Sequence, residues 1–205
     1  MRTKVLLLSF VLLLLFSLGG CAAEGESRPE NGPLQETQGE IPSVPSETLY
    51  PYETQELCAR RGGNDIYGVI YIPRDAGEKM AAVIFSHGFG GTHSVGTQYA
   101  EALAQKGYVV YCFDFCGGSP GSRSDGSTLE MSVFTEQADL EAVISMMQGL
   151  PYVDSRNLFL MGTSQGGAVS AITGAAHPDE IRGMVLLYPA FVLANNANEL
   201  FQCAD

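Results

Sequence analysis

Four short apolar runs, each separated from the next by a loop or an amphipathic stretch, constrain this chain most. They are Ala81–Phe85, Tyr108–Phe115 with Asp114 as its one polar residue, Leu158–Met161 and Met184–Tyr188. A continuous small or β-branched run of this length reads as a strand covered on both faces. Ahead of them, Ile66–Ile72 alternates and stops at Pro73, the pattern of a further strand. Between the runs lie helical spacings. Thr97–Lys106 repeats Tyr99, Ala102 and Leu103 and stops at Gly107. Ser127 or Thr128 can cap a long helix to Gln148, with Met131, Phe134, Ala138, Ala142, Ile144 and Met146 as its expected buried side. Residues 166–176 form a small-residue helix followed by Pro178. Strand and helix thus alternate, which predicts an α/β fold with a mostly parallel sheet covered by helices on both faces and joined by right-handed crossovers. No internal repeat is visible.

The chemistry sits where the third run meets its helix. Gly162-Thr163-Ser164-Gln165-Gly166-Gly167 joins the two without a spacer. A G-x-S-x-G string alone is weak evidence, because Gly and Ser are common. Between a buried strand and a helix it predicts a sharp turn that lifts the Ser164 hydroxyl to the top of the sheet. Gly162 and Gly166 are then required because a side chain would strike neighbouring backbone. The helix N-terminus favours negative charge developing beside Ser164. The bland alternative is a glycine-rich turn carrying an idle serine. A second glycine-rich loop, Ser86-His87-Gly88-Phe89-Gly90-Gly91, follows the first run.

From about residue 66 to 193 the chain resembles the α/β-hydrolase superfamily, and within it bacterial cinnamoyl/feruloyl-type esterases and related small carboxylesterases. The resemblance rests on the 87–91 loop, Phe113-Asp114-Phe115 with the 117–122 loop, the 136–140 segment, the Ser164 turn and Leu186-Leu187-Tyr188-Pro189-Ala190. It implies Ser164 as nucleophile and backbone N–H groups of Phe89 and Gln165 as the oxyanion hole, with His87 and Gly88 supporting that loop rather than acting as base. It implies no metal and no cofactor. In such enzymes the acid and histidine follow Ser in chain order, after later strands. Only fifteen residues follow Ala190, and none is His. The expectation is therefore an incomplete α/β-hydrolase fold, lacking its last strands and lid, whose turnover is impaired. A serine peptidase of the same fold, a surface protein that keeps the pocket only for binding, and a reading frame that ended early are the alternatives.

The remaining polar residues read more plainly. His93 opens a loop or helix and is expected in solvent. His177 closes the helix after Ser164, more than about 10 Å away along its axis. Asp114 is expected to cap the loop after its strand, and Glu136, Asp139 and Glu141 to line a helix surface, with room for one of them to bind a neighbouring loop. Cys112 and Cys116 flank a strand end too closely for an easy bridge, so buried free thiols are expected there. No Cys/His spacing suggests zinc.

The N-terminus is different in kind. Arg2 and Lys4 precede an apolar run from Val5 to Leu18, shorter than the roughly 20 residues that span a bilayer. It fits an export signal over residues 1–20. Leu18-Gly19-Gly20-Cys21 resembles a lipoprotein lipobox, which implies lipidation of Cys21 and anchoring at a bacterial cell envelope; an ordinary secretory signal with a chance cysteine is the alternative. Residues 21–48 are rich in Glu, Gly, Ser and Pro with no apolar period, as in a flexible tether, and the hydrolase-like domain would occupy 49–205. The formal charge of −12, about −14 without the leader, excludes a polybasic nucleic-acid surface and leaves an ester-bearing small molecule or polysaccharide as the expected partner.

Overall fold

A computed structural model of the chain describes residues 48–192. The expectations for the leader, for Cys21 and for the tether up to residue 47 lie outside those residues.

Six strands form one mixed, mostly parallel sheet. In chain order they are β1 (Tyr52–Arg61), β2 (Asn64–Pro73), β3 (Met80–Ser86), β4 (Val109–Phe113), β5 (Val153–Thr163) and β6 (Gly183–Leu187). Their order across the sheet is β1-β2-β4-β3-β5-β6. β1 and β2 make an antiparallel hairpin and β2 runs antiparallel to β4, while β4, β3, β5 and β6 are parallel. Three helices cover the sheet: α1 (Thr97–Ala104), α2 (Val133–Gln148) and α3 (Ser164–Ala176).

Two apolar clusters, one on each face, show how the sequence periods work. Ile66, Ile70, Ile84, Tyr111, Phe113, Leu158 and Leu160 point to the face covered by α2, together with Val169 of α3. Tyr71, Val83, Phe85, Val110 and Cys112 point to the other face, under Ala100 and Ala104 of α1. The β3 and β4 runs are unbroken because both of their faces are buried. The α1 face is less fully covered. A groove of about 450 Å³ runs along it, lined by Tyr99, Leu103, Tyr108, Phe159, Met161 and Val185 among others.

Several expectations need correcting. β1 was not legible: it is an edge strand with half of its residues exposed and only Ala59 buried, with Glu, Thr and Gln in place of an apolar alternation. α2 starts later than Ser127 or Thr128. Its cap is Ser132, which accepts from the Thr135 N–H at 3.2 Å while Thr135 Oγ1 accepts from the Ser132 N–H at 2.8 Å. Its buried stripe is Glu136, Leu140, Val143, Ile144 and Met147. Phe134, expected inside, is 78% exposed. Two buried carboxylates on this helix, Glu136 and Asp139, displace the apparent apolar face by one position. Finally, β6 is not buried on both faces: Met184 and Val185 are about half exposed at the sheet edge.

Candidate active site

β5 hands over to α3 without an intervening residue, and the handover is strained. Ser164 has φ +50°, a left-handed conformation that costs an L-residue about 1–2 kcal/mol. The glycines on either side are tightly packed. A Cβ on Gly162 would collide with the Gly166 carbonyl, and one on Gly166 with the carbonyls of Ser86 and His87. The two glycines thus let the turn press against both its own helix and the end of β3. The Ser164 carbonyl accepts from the Ala190 N–H at 2.9 Å, which ties the segment after β6 to the same turn.

The loop after β3 arrives beside the hydroxyl. A Cβ on Gly88 would lie 3.1 Å from Ser164 Cβ and 3.8 Å from its Oγ. The loop is a tight turn: the Gly88 carbonyl accepts from the Gly91 N–H at 3.0 Å and from His87 Nδ1 at 2.7 Å. Phe89 follows Gly88 with its ring largely in solvent, 76% exposed. Gln165, by contrast, is buried at the first turn of α3, and its Nε2 donates to Glu136 Oε2 at 2.6 Å. The site therefore brings together Ser164, Gly88, Gly162, Gly166 and the elements carrying Phe89 and Gln165.

His87 is buried and fully occupied. Its Nδ1–H donates to Gly88 O, its Nε2 accepts from the Phe115 N–H at 3.2 Å, and Phe115 packs edge-on against its ring. Burial lowers its pKa, so the ring stays neutral in the tautomer those two partners select. With both nitrogens engaged, it holds the loop and has no lone pair for Ser164.

The other two histidines are engaged as well. His93, expected in solvent, donates through its backbone N–H to Asp114 Oδ1 at 2.6 Å, and its Nδ1 lies 2.8 Å from the same oxygen. Asp114 Oδ2 accepts from the Arg123 N–H at 2.8 Å. The expected loop cap is therefore a buried carboxylate that orders two loops around the site. His177 bridges Glu180 at 2.9 Å and Glu141 at 3.3 Å at the far end of α3. These carboxylates raise its pKa, Glu180 foremost.

Glu136 and Asp139, read as helix surface, lie inside, and Asp139 is the one that binds a neighbouring loop. Asp139 accepts from Arg61 Nε at 2.5 Å and from the Cys116 N–H at 2.8 Å, linking α2 to the hairpin and to the loop after β4. Burial raises the Glu136 carboxyl to about 7 against the smaller opposing pull of Gln165. A Ser-x-x-x-Glu-x-x-Asp spacing at a helix start carried no signal of burial by itself. Cys112 and Cys116 are buried free thiols, as expected, and Cys58 is free and exposed. Among the described residues no cluster could hold a metal ion, and no helix is long and apolar enough to cross a membrane.

Residues 77–204 match the family described as serine aminopeptidase, S33. The chain belongs to this hydrolase family. Human monoglyceride lipase is 32% identical over 71% of the chain and 46% of its own length. An uncharacterized protein of Escherichia coli, YcjY, is 32% identical over 50% of the chain and 34% of its own. Among solved structures, Est1E from Butyrivibrio proteoclasticus with ferulic acid bound superposes with a TM-score of 0.62 at 25% identity, over 70% of this chain and 56% of that one. Acetyl xylan esterase 1 from Thermoanaerobacterium sp. JW/SL YS485 shares the fold, with a TM-score of 0.56 at 21% identity, over 75% of this chain and 58% of that one. The chain thus spans about half or less of the length of the curated relatives it matches.

Proposed function

We propose that this protein is a serine hydrolase of carboxylic esters that works through an acyl-enzyme on Ser164. One observation carries the reading: a serine held at φ +50° between a buried strand and a helix N-terminus, with Gly88 against its side chain. Ser164 Oγ attacks the ester carbonyl. The oxygen that gains charge is received by the N–H groups of Phe89 and Gln165, the alcohol leaves, and water releases the acid from the serine ester. Names of relatives that denote a lipase, a ferulate-binding protein and an acetyl xylan esterase support acyl or hydroxycinnamoyl esters, free or attached to polysaccharide, as the substrate class.

The sequence holds three histidines, and the partners of all three lie elsewhere than at Ser164. A triad needs a base, so the 205 residues alone should turn over slowly. An oxyanion hole and bound substrate without that base retain roughly 10³–10⁴-fold over water. The test is hydrolysis of p-nitrophenyl acetate and butyrate by the whole chain and by Ser164→Ala. A small rate that disappears in the variant is expected. A rate unaffected by the substitution removes Ser164 from the chemistry. A rate equal to that of a complete hydrolase removes the claim of impairment.

The family description supports a second reading, a serine peptidase on the same scaffold. Aminoacyl p-nitroanilides assayed beside the esters separate the two, since a peptidase would cleave the anilides at a comparable or higher rate. Binding of esters without cleavage by either chain would mark a surface protein that keeps only the pocket.

We propose further that Cys21 carries a lipid that anchors the protein at the cell envelope, on the strength of Leu18-Gly19-Gly20-Cys21 after a short apolar run. In a bacterial host, palmitate incorporation and membrane fractionation should both be lost on Cys21→Ala. Label retained in the variant would contradict the anchor.

A further inference from the structure

The oxyanion hole is only as good as the rigidity of its donors. Phe89 sits on a turn held from beneath by His87. Gln165 has no such loop support, yet its side chain is not free. It turns inward, 7% exposed, and ends on a carboxyl group of α2 that is itself 1% exposed.

We infer that Glu136 is a positioning residue for the oxyanion hole, gripping the Gln165 side chain from α2 and so fixing the direction of the backbone N–H at 165. The inference rests on the serine-hydrolase reading above, because it is that reading which gives the amide its task. A surface tie between two helices would not need burial of a carboxyl group. This one is desolvated, which is costly unless the contact it makes is worth keeping. The contact is also short, 2.6 Å, and it lands one residue after the nucleophile.

The charged surroundings isolate this pair. On its own helix the nearest group is Asp139, whose negative charge further disfavours ionisation of Glu136. The hairpin contributes Arg61, but its guanidinium is committed to Asp139. From the loop after β4, the Cys116 N–H also goes to Asp139. At the other end of α3, His177 is paired with Glu180 and Glu141. Glu136 therefore answers mainly to Gln165. When it is a carboxylate the bond from Nε2 is charge-assisted and stronger; when it carries a proton the bond weakens. The grip should tighten as pH rises through the ionisation of Glu136, near 7.

The experiment is an amide titration by ¹⁵N–¹H NMR of the whole chain in mild detergent from pH 5.5 to 8.5. The Gln165 side-chain amide and the Gln165 backbone amide should move together with one midpoint near 7, and both should be flat in Glu136→Gln. A side-chain signal that titrates while the backbone amide stays still would reduce Glu136 to a helix–helix tie and overturn the inference, as would no titration at all. Acylation by p-nitrophenyl acetate supplies a second readout. Glu136→Ala should slow the Ser164-dependent burst about tenfold, and Glu136→Gln, which can still accept from Nε2, should restore most of it. Equal bursts in wild type and Glu136→Ala would also overturn it. If Ser164→Ala leaves ester cleavage unchanged, the hydrolase reading falls and takes the oxyanion role with it. The amide titration would still report whether the grip exists, so the two failures are told apart.

Discussion

Glu136 ionises inside the protein, so its effect on stability depends on pH. Its folded pKa, about 7, lies above the ordinary 4.5. The neutral form is the one the interior prefers. The contribution is therefore complete below about pH 4.5, declines as pH rises towards 7, and is flat above. Compared with Glu136→Gln, wild type should lose on the order of 3 kcal/mol across that window. Urea unfolding of both proteins at pH 4.5, 6 and 8 reads this directly, and parallel curves would show that the carboxyl is not buried as described. Gly166 makes a steric claim at the same scale. A methyl group there meets the carbonyls of Ser86 and His87, so Gly166→Ala should destabilise by about 1–3 kcal/mol and should reduce labelling of Ser164 by a fluorophosphonate probe more than Gly149→Ala, whose nearest atom lies at 3.4 Å.

The elements differ in how far the sequence announced them, and the differences have physical causes. β3, β4 and the core of β5 were legible because burial on both faces demands uninterrupted apolar residues. The turn at Ser164 was legible because only glycine fits at 162 and 166. β1 was not, since an edge strand with half of its residues in water has no apolar period to show. The stripe of α2 was misread because hydropathy cannot mark a buried carboxyl, and the two that lie there are bonded to groups distant in sequence, Gln165 and Arg61. The engagement of His93 was hidden for the same reason, whereas Asp114 caps the loop after β4 as expected. The cap of α2 was within reach: Ser132 and Thr135 form a reciprocal pair, and Ser132→Ala should cost about 1 kcal/mol, measurable as a lower urea midpoint. At the other edge, Val185 borders the apolar groove beside α1 and is 49% exposed. Exposed apolar edges recruit other chains. Val185→Lys should reduce both dye binding by 8-anilinonaphthalene-1-sulfonate and light scattering at high protein concentration; unchanged values would show that the groove is covered in solution.

For the whole molecule, the direction of the strands separates two ends. β3, β4, β5 and β6 run parallel, and the loops carrying Gly88, Ser164 and Ala190 all leave from their C-terminal ends, where α/β sheets place their chemistry. β1 is antiparallel to β2 and β2 to β4, so β1 points the same way as the parallel strands. Its first residue, Tyr52, therefore lies at the opposite end, where the Tyr50 N–H donates to the Gln105 carbonyl at the close of α1. The first described residues and the Ser164 turn thus lie at opposite ends of the sheet. A dye or bead attached directly at Thr48 would therefore sit at the end opposite the Ser164 turn and should leave that turn uncovered.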